Sequence, residues 1–102
     1  MMKKNLSVLA VLTLLATAAF ADGTATFKAK CAMCHGPDGK GQTPVGKTMK
    51  ARDLGLPEVQ KQSDEALSKV VADGKGKMPG YKSSLGPDDI KQVVAFVRTF
   101  KK

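Results

Sequence analysis

Two cysteines and one histidine lie within five consecutive residues, Cys31-Ala32-Met33-Cys34-His35, and the 102-residue chain contains no others. Residues three apart on a helical turn share one face, so both sulfurs can reach the two vinyl groups of a porphyrin. His35, the next residue, can then offer an imidazole nitrogen to an iron at the centre of that ring. The spacing therefore predicts covalent attachment of one c-type haem.

A second axial ligand to the iron has to come from elsewhere in the chain. His35 is the only histidine, which excludes two histidine ligands from one chain and leaves methionine as the soft neutral donor. Met33 lies between the cysteines on the side turned away from the ring, and Met49 follows His35 by only 14 residues. Met78 follows it by 43 residues, enough chain to reach the opposite face, and the Pro-Gly pair after it predicts a loop. Met78 is the predicted second ligand.

The first 21 residues have the pattern of an export signal. Lys3 and Lys4 precede an apolar run over residues 6–19, and Ala19-Phe20-Ala21 matches a small-x-small cleavage site. The alternative is a retained membrane anchor, but the run is shorter than the roughly 18 residues that a span needs. We therefore expect a cleavable signal peptide over 1–21, a mature domain over 22–102 in the periplasm, and no stable membrane insertion.

The mature chain is short and basic. Its 81 residues make one domain whose own core is small, so a haem would supply much of the apolar interior. Without Lys3 and Lys4 the formal net charge of +8 becomes +6. A positive field of this kind steers a protein towards acidic partners. Nucleic acid is not an expected partner, because the chain has five aromatic residues and no groove-reading motif. We expect a monomer.

Glycines, prolines and apolar spacing predict an all-α domain. Ser63 is a good N-cap for one helix and Gly74 a left-handed cap at its end. Pro87 suits the first turn of the last helix. The predicted helices cover residues 24–34, 57–62, 63–74 and 87–100, with loops over 36–46 and 74–86 and no assignment for 47–56.

Four motifs together resemble a small bacterial class I c-type cytochrome over residues 23–100. The resemblance implies the cytochrome c fold, with about four short helices around one covalent haem and the first and last helices crossing. It places Gly23 and Phe27 against Val94 and Phe96 at that crossing. The motifs are Gly23-x-x-x-Phe27-x-x-x-Cys31-x-x-Cys34-His35, Gly36-Pro37-Asp38-Gly39-Lys40-Gly41, Lys77-Met78-Pro79-Gly80-Tyr81 and Val93-Val94-Ala95-Phe96-Val97-Arg98.

The same resemblance implies roles for residues around the haem. It makes Met78 the distal ligand. It suggests that the backbone carbonyl of Pro44 accepts a hydrogen bond from the outer nitrogen of His35, which would orient the ring. The chain has no tryptophan to reach an inner haem propionate, and Tyr81 and Arg52 are the candidates for that contact.

An iron with both axial positions filled exchanges single electrons and has no open site for a substrate. We therefore expect a soluble periplasmic electron carrier that is not an enzyme. Lysines around the haem motifs would dock an acidic redox partner transiently. These are Lys28, Lys30, Lys40, Lys75, Lys77 and Lys82.

Three alternatives use the same residues differently. A haem sensor or weak peroxidase requires that Met78 be absent from the iron or readily displaced. A thiol–disulfide oxidoreductase would use Cys31 and Cys34, but that motif belongs with a βαβ pattern, which the sequence lacks. A zinc site would have only three neighbouring ligands and no fourth cysteine or histidine.

Overall fold

The structure is a computed structural model and describes residues 23–102, so the predicted signal peptide over 1–21 lies outside the described residues. This part of the chain is all-α, as predicted, with one isolated bridge between Lys75 and Met78 in place of any strand. None of its helices is long and apolar enough to cross a bilayer. The helices are α1 (Thr24–Lys30), α2 (Ala32–His35), α3 (Pro44–Met49), α4 (Pro57–Gln60), α5 (Asp64–Asp73) and α6 (Pro87–Val97), followed by a 3₁₀ turn (Arg98–Phe100).

The first and last helices cross where Gly23 meets α6. A Cβ on Gly23 would overlap the backbone of Gln92 and Val93, so only glycine lets these two backbone segments come this close. Phe27, one turn later, is 1% exposed and its ring centroid lies 5.1 Å from that of Phe96. The predicted crossing is confirmed.

The apolar interior consists of two clusters on either side of α6. The aromatic cluster contains Phe27, Val93 and Val97, with Phe96 and Phe100 packed against them. The aliphatic cluster contains Val59, Leu67, Val71, Leu85, Ile90 and Val94. Val94 therefore faces the aliphatic cluster, and the prediction that it packs at the crossing with Gly23 is wrong. The reason is that Val93 and Val97 occupy the face of α6 that meets α1.

The aliphatic side follows its sequence signals closely. Ser63 caps α5 by accepting a hydrogen bond from the Ala66 N–H at 3.1 Å. Gly74 ends the helix at φ +83°, but its ψ of 170° is extended, so it is not the predicted left-handed cap. Asp89 at the start of α6 accepts a hydrogen bond from the N–H of Gly86 at 3.3 Å.

The aromatic side departs from prediction in two places. The helix expected over 24–34 breaks at Cys31, whose φ of −114° ends α1. The N–H groups of Cys34 and His35 both return to the Cys31 carbonyl, which starts a new turn. The loop expected over 36–46 contains the start of α3, because Thr43 caps the Gly46 N–H at 2.8 Å.

A polar link ties the end of the chain to the middle. Arg98 donates to the carbonyls of Gln60 and Gln62 at 2.8 and 2.7 Å, and also to the Asp64 carboxylate. The Gln60 amide donates in turn to the Val97 carbonyl at 3.0 Å. These bonds hold the end of α6 against the segment that connects α4 and α5.

Candidate haem site

Cys31 caps the start of α2 and Cys34 lies within it, three residues later as the motif requires. Both are half-buried free thiols, and Cys31 packs against the aromatic cluster. Burial and the neighbouring Cys34 raise the pKa of the Cys31 thiol to about 11, although Lys30 works in the opposite direction. A thiol–disulfide oxidoreductase needs a thiolate at neutral pH and therefore a lowered pKa. The environment of Cys31 is the reverse of that, which counts against this alternative.

The imidazole of His35 is held through its outer nitrogen. Nδ1 lies 3.1 Å from the backbone carbonyl of Arg52. A carbonyl can only accept, so Nδ1 carries the proton and Nε2 presents its lone pair. Burial lowers the pKa of His35, and the bond to the Arg52 carbonyl offsets part of this effect. The result is a neutral, oriented imidazole, the form that binds a metal.

The carbonyl that holds His35 is therefore not that of Pro44. Pro44 opens α3, so its carbonyl points along the helix axis and accepts from the Thr48 hydroxyl at 3.1 Å. After α3 the chain turns back through Lys50, at a left-handed φ of 56°. Residues 51–54 then run beside the loop after α2, and this path brings the Arg52 carbonyl to the imidazole. A left-handed lysine has no sequence signature, which is why sequence reasoning missed Arg52 in this role.

The three methionines of the described chain lie in different environments. Met33 is 73% exposed, consistent with its position between the cysteines. Met49 ends α3, which packs against α2, the helix that ends at His35. Met78 is half-buried and packs against the aliphatic cluster, and the backbone groups of Met78 and Lys75 bond each other at 3.0 Å. Of the three, Met78 is the one that packs against the aliphatic cluster.

Tyr81 lies beside the cysteines. Its hydroxyl donates to the Lys30 carbonyl at 3.1 Å, one residue before Cys31. Burial raises the pKa of Tyr81, and the nearby Cys31 and Cys34 add to the increase. In protohaem the vinyl groups and the propionates occupy opposite halves of the macrocycle. The structure therefore places the Tyr81 hydroxyl on the vinyl-binding side of the site, and its contact with a haem propionate stays a prediction.

Several known proteins resemble this chain in sequence and in fold. The family model for cytochrome C oxidase, cbb3-type, subunit III matches residues 18–97. Cytochrome c6 of Microcystis aeruginosa is 38% identical over 76 residues, which cover 74% of this chain and 90% of that protein. Cytochrome c6 of Nostoc sp. (strain PCC 7120) is also 38% identical over 76 residues, covering 74% and 66% of the two chains. The solved structure titled KustC0563 c-type cytochrome superposes with a TM-score of 0.74 and 36% identity, over 80% of this chain and all of that one.

The chain belongs to the small class I c-type cytochromes. Membership of this family implies a covalently attached haem c and a role in electron transport. The cytochrome has the family's all-helical fold, and the Cys-x-x-Cys-His run supplies the two sulfurs that such an attachment needs.

The donor set of the cytochrome suits a haem iron better than a bare ion. Within residues 23–102, no three or more His, Cys, Asp or Glu side chains are arranged to hold a metal ion. Cys31 lies on the aromatic cluster and Met78 on the aliphatic cluster, while Leu54 packs against both. These apolar surfaces, together with the Met78 thioether and the His35 imidazole, fit a porphyrin, whose faces are apolar and whose iron accepts both kinds of donor.

Four exposed lysines of the cytochrome lie within four residues of Tyr81 or Lys30 in the sequence. Lys28 and Lys30 come from α1, whereas Lys77 and Lys82 come from the loop that carries Met78, and all four are exposed. Lys82 also pairs with the exposed Asp73 at 3.6 Å. The bond between Tyr81 and Lys30 brings the segments that carry Lys30 and Lys82 together beside Cys31.

Proposed function

We propose that this cytochrome is a soluble, periplasmic carrier of single electrons that is exported by the signal peptide over 1–21. Its haem would be attached through Cys31 and Cys34, with His35 and Met78 as axial ligands. The observation that carries the proposal is the oriented His35, whose Nδ1 is bound to the Arg52 carbonyl at 3.1 Å and whose Nε2 is left for iron. Met78 supports it from the other cluster, as a half-buried thioether in a loop closed by its own backbone bonds.

The haem supplies a one-electron ferric–ferrous couple when bound. His35 would hold one axial position in a fixed orientation, because the Arg52 carbonyl strengthens the imidazole as a donor. Met78 is a weak donor that favours ferrous iron and raises the potential. With both positions taken by side chains, no site is left for a substrate, which favours a carrier over an enzyme, a sensor or a peroxidase.

The partners we propose are acidic redox proteins that dock transiently on exposed lysines near Cys31, such as Lys30 and Lys82. The formal charge of +6 on the mature chain supports this choice. Contacts between exposed charges are screened over about 8 Å at physiological salt. We therefore expect the second-order rate of electron transfer with an acidic partner to fall steeply as salt rises. Stopped-flow measurement against ionic strength tests this, and a flat response would remove the electrostatic steering.

A redox titration of the purified holoprotein, followed by its visible spectrum, tests the proposed function. We expect a single one-electron transition, with a ferric spectrum that contains the charge-transfer band of a thioether–iron bond. Haem should stay with the polypeptide after denaturation, because both thioethers are covalent. Colourless protein with two free thiols, obtained from a host that matures c-type cytochromes, would overturn the proposal.

A further inference from the structure

The Tyr81 hydroxyl joins two segments that are 51 residues apart in sequence, the Met78 loop and the end of α1. We propose that this hydrogen bond holds the Met78 loop against the cysteine-bearing segment, so that Tyr81 is a positioning residue for the Met78 thioether. The inference rests on the proposed ligation of iron by His35 and Met78.

The Met78 loop is firmly built on its own side. The N–H groups of Tyr81 and Lys82 donate to the carbonyls of Val71 and Ala72 at 2.9 and 3.1 Å. A Cβ on Gly74 would lie 2.6 Å from the Met78 carbonyl oxygen, so the loop is folded tightly onto the end of α5. We therefore expect the loop to move together with the end of α5. Its distance from the iron then depends on how it is attached to the cysteine-bearing end of α1.

The opposite side offers an acceptor because α1 breaks at Cys31. In an uninterrupted helix the Lys30 carbonyl would accept from the Cys34 N–H, but that N–H bonds to Cys31 instead, at 3.2 Å. The break leaves the Lys30 carbonyl as a helix-end acceptor that needs a partner from outside the helix. Tyr81 provides it at 3.1 Å. The turn that presents the cysteines to the haem thus also creates the anchor for the distal loop.

A phenylalanine ring in place of Tyr81 would keep the packing against the aliphatic cluster but lose the hydrogen bond to the Lys30 carbonyl. The Tyr81 ring packs against the aliphatic cluster, and phenylalanine reproduces that contact. An opened state, in which Met78 has left the iron, breaks the bond between Tyr81 and Lys30. Tyr81→Phe should therefore shift the opening equilibrium by about fivefold, the effect of one lost hydrogen bond.

Imidazole binding to the ferric holoprotein measures this opening, because imidazole can take the iron position only after Met78 has left it. We expect Tyr81→Phe to bind imidazole with an apparent affinity about fivefold higher than wild type. The binding rate at saturating imidazole, which loop opening limits, should rise as well. Ser84→Ala is the matched control: it also removes a hydroxyl, but one that donates to the Tyr81 carbonyl at 3.4 Å inside the loop. It should leave both quantities unchanged.

The outcomes separate this inference from the proposed ligation. If wild type shows the thioether–iron band and Tyr81→Phe binds imidazole no better, the positioning role is overturned while the ligation stands. The positioning role is also overturned if only the global unfolding midpoint falls, because that is the effect of a merely structural contact. If wild type lacks the band, the ligation and the inference are overturned together.

Discussion

The aromatic and aliphatic clusters are built in different ways. The aromatic side, which carries the attachment cysteines, depends on a few large rings. The aliphatic side, which carries Met78, is made of six medium-sized side chains, most of them on two capped amphipathic helices. A small cytochrome can therefore concentrate its stability around the cysteine turn and distribute it around the Met78 loop. Single changes should therefore cost more on the aromatic side.

Removal of one ring gives the largest expected effect. Phe27 is 1% exposed and lies 5.1 and 5.4 Å from the rings of Phe96 and Phe100. Phe27→Ala should lower the free energy of unfolding by about 3–5 kcal/mol. Val71→Ala, the counterpart in the aliphatic cluster, should cost about 2 kcal/mol because it removes two methyl groups. Guanidinium unfolding of the holoprotein measures both, and equal losses would contradict the comparison.

Addition of a methyl group should also damage the aromatic side. A Cβ on Gly46 would overlap the Cys34 carbonyl oxygen, so Gly46→Ala pushes α3 away from the attachment turn. We expect a loss of about 1–3 kcal/mol, the usual cost of overpacking. Gly86→Ala is the control, since its nearest contact is the Asp89 carboxylate at 3.9 Å. It should cost less than about 1 kcal/mol; a loss as large as that of Gly46→Ala would show that the backbone preference of glycine, not the clash, is responsible.

The two helix caps provide a finer test. Thr43 caps α3 and also donates to the carbonyls of Met33 and Cys34 at 2.6 and 3.1 Å. Ser63 caps α5 through one bond to the Ala66 N–H. Thr43→Ala should cost about 2 kcal/mol and Ser63→Ala about 1 kcal/mol, because the first loses a bond to α2 in addition to the cap. Thermal unfolding shows which of the two variants loses more stability. Thr43→Ser should retain most of the stability that Thr43→Ala loses.

The smallest expected effect concerns the stability of the protein at low pH. The Lys102 ammonium and the Gly55 N–H hold the pKa of Asp53 below its ordinary value of 3.8. Because the folded pKa is depressed, the contribution of Asp53 is complete above 3.8 and is lost as the pH falls through the folded value. Asp53→Asn should therefore flatten the dependence of stability on pH below 3.8 and leave the slope near neutrality unchanged. A change of slope between about pH 6 and 8, measured by urea unfolding, would contradict this assignment.

The two sides also differ in how far the sequence predicted them. Around α5 and α6, the Ser63 cap, the Pro87 start and the apolar spacing of Ile90, Val93 and Val97 all act within a few residues, and their predictions are confirmed. These signals are local, so a single sequence is enough to identify them.

The features that the sequence did not predict depend on contacts between backbone segments that are far apart in sequence. The break at Cys31, the left-handed turn at Lys50 and the Arg52 carbonyl beside His35 have no side-chain signature. The Thr43-Pro44 pair is a recognisable helix start that the density of glycines and prolines obscures. The chemistry of the site was predictable because it follows from residue types, whereas the carbonyl that orients His35 is set by the path of the chain.

The charge-transfer band of ferric holoprotein, compared between two methionine variants, tests the central claim most directly. The claim is that one iron lies between the imidazole of His35 and the thioether of Met78. We predict that the band is present in wild type, persists in Met49→Ala and disappears in Met78→Ala, whose reduction potential should also fall. A band that survives Met78→Ala, or that is lost in Met49→Ala instead, would contradict the claim.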